Sequence, residues 1–441
     1  MSAFEAEALP SELEEQITNL PRTRPLYYED PYLREFDAQV LKSIEIRQRS
    51  FVVLDRTAFF PEGGGQPGDK GTINAEGNDF QVLDTKPVGE VVVHVLNRSL
   101  KKEEIAAKGV IDWPSRYGNM KHHTAAHMIF SAARSVLKAQ DLRYMGFQIS
   151  EDRVRIDINR EESITRDQIH EIEKTANLIA LKQLPVKTSF TTREEAVKSF
   201  GSNLGLTEVT PTGEVRLVEV GDQDISLCCG THVKSTIEVV PIKILGRLRL
   251  QKGIERLEVA ASGYGYLGFS KASEALSKLT DLLDTEDRNI VPRIQQLLQE
   301  REKTKDELRD LRMSIAESEA LQYLSHAEQI GRFRLIARTI ENVDSNILKR
   351  MALKVAYSDQ DAAAILGSSD TVGHVVAAVG ANLVKEGLNL DRIVRAVAAE
   401  AGCRGGGTSN IAQTGGFPPD KLHGLIRKIQ DAIERETSGK T

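Results

Sequence analysis

The chain of 441 residues carries only three cysteines, and two of them, Cys228 and Cys229, are neighbours. Adjacent cysteines pair poorly, so there is no disulfide framework, and the thiols fit a reducing cytoplasmic setting. No apolar run approaches 18 residues. A membrane span needs about 20, so no membrane partner is expected. Residues 1–16 are acidic and lack the apolar core of a signal peptide; they read as a mobile extension or a short surface helix. An excess of positive charge is also missing, with 58 Lys+Arg against 64 Asp+Glu and a net charge of -6. That balance does not announce a nucleic-acid binder, but local patches count for more than the sum. Residues 101–160 hold 11 basic against 7 acidic side chains, and residues 241–260 hold 5 against 2. An anionic substrate would lie near these stretches.

Two motifs stand out. His123-Thr124-Ala125-Ala126-His127 places two imidazoles four positions apart, on one face of a helix. Cys228-Cys229-Gly230-Thr231-His232 offers a thiolate and an imidazole. Three nitrogens and one sulfur suit a tetrahedral Zn²⁺ held by His123, His127, Cys228 and His232. Either half alone is weak, since paired histidines on a helix are often core or surface residues. A zincin protease is excluded, because Thr124 stands where HExxH needs its general base.

The organisation reads as an α+β multidomain chain. After an N-terminal extension (1–25), residues 26–113 show short β runs between Gly, Pro, Asn and Asp, the pattern of a small antiparallel β-barrel. Within it, Phe59-Phe60-Pro61-Glu62-Gly63-Gly64-Gly65-Gln66-Pro67-Gly68-Asp69 turns sharply or admits a close neighbour; a tight barrel loop is the plain alternative. No Gly-Lys-Ser/Thr follows, so it is not a P-loop. Residues 114–268 read as an α+β zinc-containing domain with a helix near 119–138. Thr165 and Gln168 spell a capping box, opening a helix with Ile169, Ile172, Ala176 and Ile179 on its buried stripe; His170 on that helix reads as a surface residue. Residues 269–330 read as a helical hairpin or coiled-coil spacer, broken at 289–292. Residues 331–441 form a separate α/β domain. Its Gly402–Gly416 stretch reads as a loop that presents N–H groups to phosphate, or as a packing or dimer loop.

These motifs, in this order, resemble the AlaX group of free-standing alanyl-tRNA editing proteins in its long form, similar to the editing half of alanyl-tRNA synthetase. The matching pieces are residues 59–69, 123–127, 228–232 and the glycine-rich stretch 405–416, and the resemblance runs from about residue 26 to residue 433. Two departures stand out: Cys229 replaces a glycine, and Ser409-Asn410-Ile411 stands where Pro-Asp-Met is usual. About 25 residues precede the barrel, too few for the class II catalytic domain of a synthetase, so the expectation is a chain that deacylates tRNA, independently of ATP, and has no ligase activity.

The resemblance implies a zinc-dependent aminoacyl-tRNA hydrolase serving translation fidelity. Its substrate would be mischarged tRNA(Ala), chiefly Ser-tRNA(Ala), with Gly-tRNA(Ala) for forms bearing the glycine-rich loop. Gly63, Gly64, Gly65 and Gln66 would line the side-chain pocket. Thr124 and Gln148 would assist catalysis, and Arg155 would position the terminal adenosine or its ester; Gln148 and Arg155 are equally compatible with structural roles. Arg116, Lys121, Arg404, Gly405, Gly406 and Gly407 would contact tRNA, although solvated surface charge is the plain reading of the first two. The last domain would grip the tRNA elbow and support a homodimer. Similar domains accompany phosphoesterases, but the Asp-His-His motif of those enzymes is missing. The alternatives are a non-catalytic zinc module that binds tRNA or protein, and editing of another mischarged tRNA such as Ser-tRNA(Thr).

Overall fold

The structure is a computed structural model that describes residues 9–47, 49–201, 204–205, 214–341, 343–369 and 372–438. The chain divides into two compact units, Met1–Leu282 and Leu283–Thr441.

In the first unit the β pattern closes into a six-stranded barrel. Its strands run Glu35–Ile46, Arg49–Leu54, Val91–Leu96, Asn78–Val88, Gly71–Ala75 and Ala106–Ile111 around the wall. Alternation sorts the side chains: Val52 and Leu54 point into the barrel core with Phe36, Phe59 and Ile73. Phe51 and Val53 point outward, where they meet Leu13 and Ile17. Those two residues belong to the helix Ser11–Ile17, which therefore docks on the barrel wall. The part of the extension that is described is thus a packed element; residues 1–8 lie outside the described residues.

Beyond the barrel, a 24-residue helix, Trp113–Val136, starts at Asp112, whose side chain accepts from the Ser115 N–H. It packs with the helix Arg166–Ala180 on an antiparallel sheet ordered Ile242–Gln251, Gly253–Ala261, Val154–Arg160, Tyr144–Ile149. Both bonds of the Thr165/Gln168 capping box form. A second four-stranded sheet is ordered Val186–Thr192, Glu214–Val220, Asp224–Leu227, Leu204–Gly205. Its third strand leads straight into Cys228.

The region read as a spacer is divided. The helix Ser262–Leu283 closes the first unit, and the helix Ile290–Ser325 opens the second. The second of these is no free-standing spacer at its end, because Ala316, Ala320 and Leu324 are buried against the helix Ser345–Ser358 and the sheet. That sheet has six strands in the order Glu328–Ile330, Phe333–Thr339, Ala362–Ser369, Gly373–Val379, Ile411–Phe417, Arg404–Gly407. Ala362, Ala364 and Leu366 face one layer of helices; Ala363 and Ile365 face the other, built from Leu390–Glu400 and Leu422–Ser438. The glycine-rich stretch is therefore an edge hairpin and not an open loop. Its glycines are needed for packing: a Cβ on Gly405 would stand 2.8 Å from that of Ala398 on the adjoining helix. No helix among the described residues is long and apolar enough to cross a membrane.

Candidate metal centre

His123 and His127 lie one turn apart on the long helix, each 3% exposed, and face the chain where it leaves the Asp224–Leu227 strand. The structure brings them together with Cys228 and His232, so that the four donor atoms all lie within 4.8 Å of one another. The Cys228 Sγ is 3.2 Å from His123 Nε2 and 3.4 Å from His232 Nε2. A tetrahedral zinc with bonds of about 2.3 Å to sulfur and about 2.0 Å to nitrogen holds such atoms roughly 3.5 Å apart, so the spacing fits the ion.

The protonation states fit as well. Burial raises the Cys228 thiol, but the imidazoles of His123 and His232 outweigh it and hold the group well below the ordinary thiol range. Burial and the facing His123 hold His232 well below the usual histidine value, hence neutral. At His127 burial opposes the charge, yet the Asp224 carboxylate and the Cys228 sulfur push its pKa up to about 10. Without an ion, that imidazole is a proton bridge between two anions. A metal held by the cluster would take the place of the proton His127 shares with Cys228.

Each imidazole is also fixed from behind, which sets the ring nitrogen it presents. His127 Nδ1 donates to Asp224 at 2.7 Å, and Asp224 also accepts from Ser226. His232 Nδ1 contacts Thr124 Oγ1 at 3.1 Å. His123 Nδ1 donates to Gln66 Oε1 at 2.9 Å. The same oxygen accepts from the Thr231 N–H, while Gln66 Nε2 donates to the Thr231 hydroxyl. Two glycines make this approach possible. A Cβ on Gly230 would stand 2.0 Å from His123 Cε1, and one on Gly65, at φ +80°, would stand 2.2 Å from the Phe147 carbonyl oxygen. Position 229, where glycine gives way to cysteine, is exposed and accommodates a side chain.

The glycine-rich loop is thus bolted to the cluster through Gln66, which is fully buried. Gly63, Gly64 and Gly65 stand at its turn, closed by reciprocal bonds between Gly63 and Gln66. Thr124 is fully buried and engaged with His232 and the Val233 N–H; it orients the His232 ring. Gln148 is exposed, and strand alternation turns it away from the cluster. Its neighbour Phe147 takes the inward place, with its ring 4.9 Å from that of His123. Arg155 is the cross-strand partner of Gln148 and pairs with Glu258 at 3.4 Å.

The expected tRNA contact Arg116 is corrected by burial. Arg116 is 1% exposed, paired with the buried Asp69, and donates to the carbonyls of Pro31 and Ala58; no phosphate can reach it. Lys121 is half-buried, bonded to Ser262 Oγ and lying over the Tyr117 ring. Arg404 and Gly405–Gly407 form the edge strand of the second unit, and the Gly407 N–H donates to Asp391. Three residues with clear roles escaped the sequence reading: Asp224, Phe147, and Arg216, whose Nη1 donates to the carbonyls of Cys228 and Gly230. Asp224 had one local signal, an acid four positions before Cys228.

Three family models match parts of the chain. They are described as tRNA synthetases class II (A), at residues 6–114; Threonyl and Alanyl tRNA synthetase second additional domain, at 215–258; and DHHA1 domain, at 333–435. The first falls on the docked helix and barrel, and the second contains Cys228 and His232. Among curated proteins, the alanine–tRNA ligase of Ignicoccus hospitalis is 31% identical over 99% of this chain and 46% of its own. Those of Pyrococcus furiosus (33% identical; 98% and 46%) and Methanothrix thermoacetophila (35%; 92% and 44%) are similar. The C-Ala domain of Aquifex aeolicus alanyl-tRNA synthetase is matched at 22% identity over 24% of this chain and 97% of that one, with a TM-score of 0.23, too low to carry weight. The chain spans about half the length of the curated relatives it matches. It is related to the alanyl-tRNA synthetases over almost all of its own length.

Proposed function

We propose that the chain is a trans-editing deacylase that hydrolyses the ester of mischarged tRNA(Ala), chiefly Ser-tRNA(Ala) and also Gly-tRNA(Ala), with zinc as its cofactor. One observation carries the reading: a buried thiolate and three imidazoles converge on a point beside a glycine-rich loop tied to one of them through Gln66. The similarity to the second additional domain of alanyl and threonyl synthetases supports it.

The need for editing is physical. A site built for alanine cannot strongly reject glycine, which lacks a methyl, or serine, which adds a hydroxyl. His123, His127, Cys228 and His232 would hold the ion. Bound Zn²⁺ polarises an ester carbonyl or lowers the pKa of a bound water to about 7. The chain's own residues do the rest. Gln66 and Asp224 fix the imidazole rings, Phe147 walls off water beside His123, and the turn at Gly64, where an added Cβ would meet nothing within 4 Å, leaves room for a small side chain. The second unit would hold the body of the tRNA and support a homodimer.

Four protein ligands normally close a structural zinc site, and this favours one rival, a non-catalytic zinc module. The test is loss of labelled amino acid from Ser-, Gly- and Ala-tRNA(Ala), and from Ser-tRNA(Thr), with and without chelation. Zinc-dependent loss of serine with alanine spared is expected. A zinc-loaded chain that leaves every ester intact is the binding module, and selective loss from Ser-tRNA(Thr) would move the substrate. In Cys228→Ala, zinc content should fall from one per chain to none; retention would sink the ligand set.

A further inference from the structure

Next to the turn that carries Cys228, aromatic rings meet edge to face in a ladder. Phe190 packs on Tyr28 with ring centres 5.7 Å apart, Tyr28 on Tyr27 at 4.6 Å, and Tyr27 on Phe60 at 5.5 Å. The inner end is buried, with Phe60 in the stretch that opens the glycine-rich loop. The outer end is not: Phe190 is 51% exposed. It stands alone among polar neighbours, Lys187, Thr188, Ser189, Thr191 and Thr192, on the strand Val186–Thr192.

Two supports tie the ladder to the donor cluster. The Arg216 guanidinium lies 4.9 Å from the centre of the Tyr28 ring and donates to the carbonyls of Cys228 and Gly230. Arg216 is also the cross-strand partner of Phe190, which puts both side chains on one face of the sheet. The Tyr28 hydroxyl is in hydrogen-bond contact with the Cys229 thiol, itself exposed. A single exposed apolar side chain is ordinary. One held ring by ring from behind, beside a buried cluster of donor atoms, is a rigid flat surface of the kind on which an unpaired base stacks. A peptide would ask for a longer apolar strip than this strand offers.

We propose that Phe190, backed by Tyr28, is the stacking ledge for the last base of the acylated RNA 3′ end. This rests on the deacylase reading above and adds which side chains hold the terminal nucleoside. Tyr28 touches Cys229, the residue after Cys228, so a base on the ledge leaves its ribose beside the donor cluster, where the ester has to lie. The ledge grips a ring face and reads no base edge.

The test measures binding of two non-hydrolysable probes to the zinc-loaded full chain by calorimetry. One is a short oligonucleotide ending in 3′-seryl-amidoadenosine; the other is the same molecule without its terminal base. Removing the base should weaken binding to the wild type at least roughly tenfold. In Phe190→Ala, with zinc content as in the wild type, the two probes should bind alike, and Phe190→Trp should restore the difference. An equal penalty in wild type and Phe190→Ala would overturn the ledge, because the base would then be held elsewhere. So would a wild type indifferent to the base. If Ser-tRNA(Ala) is hydrolysed while Phe190 has no effect, the ledge alone falls; a wild type that binds neither probe and spares every ester sinks both readings.

Discussion

Asp224 touches no donor atom directed at the centre, yet it decides how His127 presents itself. Partners of this kind are worth about 10- to 100-fold in metal affinity, so Asp224→Asn should weaken zinc binding by that factor in competition with a chromophoric chelator. An unchanged constant would mean the ring is held by packing alone. Arg116 makes the opposite case. Breaking a fully buried pair costs about 3–5 kcal/mol, so Arg116→Ala should lower unfolding free energy by that much while the remaining folded protein binds tRNA as before. A selective loss of tRNA affinity at unchanged stability would restore Arg116 as a phosphate contact. That these four side chains converge was legible because HxxxH and CxxxH each bring two donors close along the chain. Arg116 was misread because its partner, Asp69, stands 47 positions upstream, where no local pattern can point.

Local signals succeeded where structure is local: the Thr165 capping box is written in four residues and forms as written. For the glycine-rich 402–416 stretch, composition left a phosphate loop and a packing loop both open and did not show an edge strand pressed beneath a helix; Gly405 against Ala398 is settled only in three dimensions. In the barrel, His94 is sealed between Thr57 and the Val52 carbonyl. Burial pushes its pKa down to about 4. The unfolded chain takes up that proton near pH 6.5 and the barrel does not, so stability is complete above about 6.5 and is lost as pH falls toward 4, by about 3 kcal/mol in all. Urea unfolding at pH 7 and pH 5 should show this acid slope in the wild type and a flatter one in His94→Gln. Equal slopes would mean that other groups set the acid limit.

At the scale of the whole molecule, the chain divides between Leu282 and Leu283 into two compact units. The candidate centre lies wholly within the first. A ligand stabilises the unit that binds it, so calorimetry should show two transitions, and chelation should lower only one of them. A single transition that shifts as a whole would mean the units unfold as one. The feature with the widest reach is the Gln66 oxygen, which accepts from a ligand imidazole and from the Thr231 amide at once. The loop that would gauge a side chain and the ring that would grip an ion hang from the same atom. Occupancy of either would therefore reshape the free energy of the other, and thermodynamic linkage would make the effect mutual: whatever factor a snugly seated aminoacyl group added to retention of an ion, the ion would add to capture of that group.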